Sequence, residues 1–199
     1  MKQCFITLIA ILMLAGIAHA QQTREQSSKR YIATLGVLLD SESAANTLVK
    51  DLEAFSNETP YRYDTVLSTT QRLLATKATP QMRRTIPVLK IFGPCADAAA
   101  SIDGSDDDFS EIVFILGAMR TSDSTNTFSD LARLDALGIP VWRFIATGIG
   151  RSEKVVKDLS FSGRLRPSGT AELLLVSFTQ SYKGMAAKLA EVEKKKGVQ

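Results

Sequence analysis

Glu111-Ile112-Val113-Phe114-Ile115-Leu116-Gly117-Ala118-Met119 is the stretch on which the fold turns. Ile112 to Leu116 is an apolar run without polar alternation, and it reads as a central strand covered on both faces. Downstream, Phe128 to Leu137 carries Leu131, Leu134 and Leu137 at helical spacing, with Gly138 as its cap. Val141 to Ala146 then reads as a second strand, so that the whole piece resembles a right-handed strand–helix–strand crossover. Glu172 to Phe178 predicts another strand. Ile86 to Phe92 predicts a short one, with Pro87 placing it at an edge or a strand start and Gly93-Pro94 ending it. A long loop from Phe92 to Glu111 separates it from the central strand. Ser152 to Leu159 predicts a short helix with Val155, Val156 and Leu159 inward, and Tyr182 to Lys195 a terminal amphipathic helix. Arg166-Pro167-Ser168-Gly169 reads as turns. The expected class is α/β: a small mixed or mostly parallel sheet of about four strands layered by helices.

The expected division is residues 1–20 as a signal peptide, 21–80 as an N-terminal helical hairpin and 81–199 as the α/β domain. Met1-Lys2, the apolar run Cys4 to Ile17 and the small-residue pattern Ala18-His19-Ala20 follow the order of a cleaved secretory leader. From Arg24 to Phe55 the spacing of Tyr31, Leu35, Leu38, Leu39, Leu48, Leu52 and Phe55 is helical, with Ser41, Ser43 and Asn46 interrupting it. A second helix is expected from Tyr61 to Ala78, ending before Pro80. No other stretch is long and apolar enough to span a bilayer, so the mature chain is expected to have no membrane span. A hydrophobic content of 45% and a charged content of 23% exclude wholesale disorder and collagen-like repeats.

Charge is unevenly distributed. Residues 21–92 carry a net +3, residues 93–139 a net −7 and residues 140–199 a net +6. The basic groups are evenly spaced and are not interleaved with aromatic residues, which argues against nucleic acid as a partner.

Chemistry-bearing residues are sparse. The chain has one histidine, His19, and it falls within the expected leader. Histidine triads and histidine zinc sites are therefore not expected in the mature chain. Cys95 is the one cysteine outside the leader, expected as a free thiol with no internal disulfide. Gly93-Pro94-Cys95 after a strand resembles the approach to a thioredoxin-like redox helix, but no second cysteine stands three residues on, so dithiol exchange is not expected. The acidic loop with Asp103, Asp106, Asp108 and Glu111 is a candidate cation site, weighed against a solvated turn that keeps an edge soluble. The loops after the two crossover strands are a candidate anion or ligand site, with Arg120, Ser122 and Asp123 on one and Gly148, Gly150, Arg151 and Ser152 on the other. The bland reading of the second loop is a turn capped by serine and glycine. No cofactor is expected.

The leading functional expectation is a non-catalytic exported (periplasmic) structural or adaptor protein of an envelope-associated assembly, with a protein partner in the cell envelope. One alternative is a small-ligand or anion-binding α/β domain, with weak hydrolase activity as its extension. A second is a thioredoxin-like domain without its redox pair. The balance of residues is against an enzyme.

Overall fold

The computed structural model of the chain describes residues 28–76, 83, 86–121 and 127–196, and among these there is no strand. Every segment expected as a strand is helical, so the α/β class and its crossover are overturned. The elements are α1 (28–39), α2 (Glu42–Glu58), α3 (Tyr63–Ala75), α4 (Val88–Ser101), α5 (Asp106–Thr121), α6 (Thr127–Ala136), α7 (Val141–Ile149), α8 (Glu153–Phe161), α9 (Pro167–Tyr182) and α10 (Met185–Lys196). The expected leader, residues 1–20, lies outside the described residues. No helix among the described residues is long and apolar enough to cross a membrane.

The physical reason for the correction is burial from several sides. An apolar run without periodicity suits a strand covered on two faces, and it suits equally a helix covered all round. Ile112–Leu116 lies in the middle of α5, which packs against α3, α4, α6 and α9. Ile112, Val113, Ile115, Leu116 and Met119 are buried on it, and Phe114 lies under the Arg72 guanidinium, 3.8 Å from ring centre to Cζ. Glu172–Phe178 belongs to α9, which packs against α4, α5 and α7 and buries Ala171, Leu174, Leu175 and Phe178. The other two expected strands keep a helical period in what they bury. In α4 these are Val88, Ile91, Phe92, Cys95 and Ala96; in α7 they are Val141, Trp142, Ile145 and Ala146.

Helix ends explain the remaining differences. The expected long loop from Phe92 to Glu111 is two helices joined by a short turn around Asp103 and Gly104. Ser105 accepts the backbone N–H of Asp108 at 3.2 Å while the Asp108 carboxylate accepts the N–H of Ser105 at 2.8 Å, a reciprocal cap that starts α5. Arg166-Pro167-Ser168-Gly169 is a helix start as well. Pro167 occupies the first turn of α9, where its missing N–H costs no internal hydrogen bond.

The chain forms two compact units whose boundary, between Val49 and Lys50, falls within α2. In the first, α1 and the start of α2 are separated by a tight break: Asp40 takes a left-handed conformation (φ 50°), and the Ser41 N–H reaches back to the Gly36 carbonyl at 3.0 Å. Ser41 then caps α2, accepting the Ala44 N–H at 3.2 Å. Leu35, Leu39, Ala45 and Val49 are its buried side chains.

The second unit has a core in which Phe55, Tyr61, Phe92 and Phe109 meet. Tyr61 stacks on Phe109 with centroids 4.4 Å apart, and Phe92 meets Phe109 edge-on at 5.4 Å. Two further ring clusters lie along the unit, Phe144–Phe178–Tyr182 and Phe128–Trp142–Phe161.

Candidate functional site

The acidic stretch at the start of α5 is the densest collection of candidate ligands, and the carboxylates of Asp106, Asp108 and Glu111 are already engaged. Asp106 accepts the backbone N–H of Arg62 at 3.1 Å and the Thr65 hydroxyl at 3.0 Å, and it pairs with the Arg62 guanidinium. Arg62 precedes the first turn of α3 and has no capping side chain of its own, so an aspartate from α5 supplies the acceptor that α3 lacks. Asp108 is committed to the Ser105 cap, and it takes the Ser105 hydroxyl at 2.7 Å as well. Glu111 pairs with Arg133 of α6. Asp103 sits in the left-handed turn (φ 54°) that ends α4. Asp106 and Glu111 therefore hold α5 to α3 and α6, while Asp108 caps its own helix. Among the described residues no three metal-ligating side chains are grouped to hold an ion.

The placement of Asp106–Asp108 on the first turn of α5 also suits the helix dipole, which favours negative charge at that end. A recess of about 310 Å³ opens beside them, walled by Tyr61, Asp103, Ser105, Asp106 and Glu193. Tyr61 donates its hydroxyl to the Ala96 carbonyl at 3.2 Å. Burial first, and the carboxylates of Asp106, Asp97, Asp108 and Glu193 after it, push its phenol well above the usual tyrosine range.

The candidate anion loops are divided by the fold. Ser122 and Asp123 lie outside the described residues. Arg120 is near the end of α5, where it pairs with Glu172 of α9 rather than facing an open strand end. Gly148 lies against the Leu173 side chain of α9. Gly150 is the left-handed cap of α7 (φ 64°), closed by the Arg151 N–H on the Ala146 carbonyl at 2.9 Å. Ser152 starts α8 by accepting the Val155 N–H at 3.4 Å. The G-x-G pattern is thus a helix end followed at once by a helix start, with its groups used by the backbone.

Cys95 is fully buried in α4, one residue after Pro94, and burial raises its thiol far above the ordinary cysteine range. The structure places it among packed side chains, inside a helix rather than at the end of a strand. The thioredoxin-like comparison loses its geometric basis with that placement.

Two features escaped the sequence reading. Asp97, midway along α4, accepts the backbone N–H groups of Gly184 and Ala186, both at 3.0 Å, and so starts α10. Nothing local in the sequence marks this, because donor and acceptor stand 87 and 89 residues apart. The other is a groove of about 320 Å³ between α4, α5 and α9, lined by Lys90, Pro94, Arg120, Glu172 and Gln180. The Ser105–Asp108 cap did have a signal, the serine-x-x-acid pattern before an apolar run. The chain matches no protein-family model, no curated protein and no solved structure.

Proposed function

We propose that the chain is a non-catalytic exported structural or adaptor protein of an envelope-associated assembly, working through a protein partner. The observation that carries this reading is the commitment of its polar chemistry to internal architecture. Asp97, Asp106, Asp108 and Ser152 supply helix caps, while Glu111, Arg120, Arg133 and Glu172 form interhelix ion pairs. General acid–base work needs a titratable group within reach of a substrate and not bound up in holding the fold. The apolar side chains that stand in solvent, among them Val37 at 80% and Val176 at 54% exposure, suit contact with another protein. The leader-like residues 1–20 support export.

The test uses the full chain in its native host. Crosslinking in intact envelopes, with quantitative mass spectrometry, is expected to return one stoichiometric partner that rebinds the purified chain. A variant reversed at Lys50, Asp51 and Glu53, exposed charges on α2, is expected to lose that complex. A monomer that captures nothing in stoichiometric amount overturns the adaptor reading. Amino-terminal sequencing of the fractionated protein checks export separately: a mature chain starting at Gln21 is expected, and a chain that keeps Met1 in the cytosol overturns it.

A further inference from the structure

We infer that α8 and the turns on either side of it form a docking surface for an anionic lipid bilayer. Residues 143–166 contain Arg143, Arg151, Lys154, Lys157, Arg164 and Arg166 against only two carboxylates, Glu153 and Asp158. All six cations are exposed, and among the described residues none of them is within ion-pair distance of a carboxylate. This is the reverse of Arg62, Arg120 and Arg133, each of which has its carboxylate.

Apolar side chains stand among these charges. Val156 and Ser160 face inward on α8, so the opposite face points to solvent. Lys154 and Phe161 lie on that outward side together with Asp158, while Lys157 sits at its flank over the Trp142 ring. Phe161 is 80% exposed, its ring touching Phe128 edge-on at 5.5 Å and otherwise standing free of the unit. Ile149 and Val155, 39% and 40% exposed, precede it in the chain. An aromatic ring in solvent beside unpaired cations fits a bilayer surface. The ring enters the headgroup boundary, and the lysines and arginines remain at the level of the anionic phosphates. Asp158, next to Lys157, weakens the field without reversing it. Docking of this kind needs no membrane-spanning helix, and it does not depend on the adaptor reading.

The experiment is flotation of the full chain with vesicles of phosphatidylcholine alone and of phosphatidylcholine with about one third phosphatidylglycerol, the composition being set by the charge effect sought. Binding to the anionic vesicles that fades as salt rises is expected. Replacing Lys154 and Arg164 by glutamine is expected to lower partitioning roughly fivefold per charge removed. Phe161→Ala is expected to lower it about tenfold. Both cations are exposed and, among the described residues, have no carboxylate within ion-pair distance, so the K154Q/R164Q variant should keep the wild-type melting curve, and it carries the test if F161A unfolds. The apolar residues 4–17 are present in every chain compared, so only the difference between chains reports on α8.

Equal binding to both vesicle types, or binding unchanged in K154Q/R164Q, overturns the inference. So does failure on vesicles alongside charge-dependent binding to a purified acidic protein, which would assign the surface to a protein partner instead.

Discussion

The Asp97 carboxylate, in the middle of α4, accepts the backbone N–H of Ala186 at 3.0 Å, so that a residue in one helix begins another 89 positions later. Together with its second bond, from Gly184, this supplies acceptors for two of the amide groups that every helix leaves unsatisfied at its start. Asp97→Ala is expected to cost about 1–2 kcal/mol, the usual range for a lost helix cap. The loss should be local: amide hydrogen exchange should accelerate in α10 before it does in α5. Uniform acceleration across the unit would show that Asp97 supports the core by another route.

Gly117 and Gly148 both sit where helices pass closely, but their neighbours differ. A β-carbon at position 117 would fall 2.2 Å from Leu73 Cδ1, and Leu73 is fully buried. Gly117→Ala is therefore expected to destabilise by about 1–3 kcal/mol through overpacking. At position 148 it would meet Leu173 Cδ1, Cγ and Cδ2 at 2.6, 2.9 and 3.0 Å, the end of a side chain that is only half-buried and has room to turn aside. Gly148→Ala also gains about 1 kcal/mol of helix propensity, so it is expected to be near neutral. Chemical denaturation of the two variants checks the order, and a costlier G148A would contradict it.

Ser160 lies on the buried face of α8 with no hydrogen-bond partner for its hydroxyl, the one such buried side-chain atom among the described residues. Removing an unsatisfied polar atom relieves a desolvation cost of about 1–3 kcal/mol, less the packing lost with the oxygen. Ser160→Ala is thus expected to raise the melting temperature. A lower melting temperature would mean that the hydroxyl has a partner in solution.

Alkaline pH is expected to destabilise the second unit. The folded phenol of Tyr61 holds its proton above the ordinary value of 10.0, and the folded thiol of Cys95 above 9.0. Above those values the unfolded chain releases protons that the folded chain retains, so unfolding becomes easier as pH rises. Below them the two groups contribute no slope. Tyr61→Phe loses the hydrogen bond to Ala96, about 0.5–1.5 kcal/mol at neutral pH, and it also loses the phenol's share of the alkaline slope. Its disadvantage should therefore shrink above pH 10. Urea titrations across that range decide the point, and parallel curves for the two chains would sink it. Cys95 should likewise resist thiol reagents until the unit opens.

Legibility followed burial. The helices with one wet face, such as α3, α6 and α8, show in their spacing: Leu131 and Leu134 are buried on α6 while Ser129 and Arg133 are not. The inner helices do not. Ile112–Leu116 is apolar on consecutive positions because its helix has neighbours on several sides, a texture shared with a buried strand, and Leu173–Val176 reads the same way although Val176 stands exposed. Length could have separated them. The reciprocal Ser105–Asp108 cap starts a helix seven residues before Ile112, too far back for a short central strand. At the candidate sites, residue types were legible and their obligations were not. Asp106 looked available because Arg62 and Thr65, which hold it, stand more than forty residues away.

The position of α9 has a consequence for biosynthesis. This helix lies against α4, α5 and α7, yet it is made after all three. Until residue 182 has emerged, the apolar faces of α4 and α5 that it covers have no lid, and the nascent chain holds an open, hydrophobic intermediate. A chain stopped before Pro167 should bind hydrophobic dyes and chaperones, whereas the completed chain should not. Late closure of this kind keeps a polypeptide threadable for as long as it is being made.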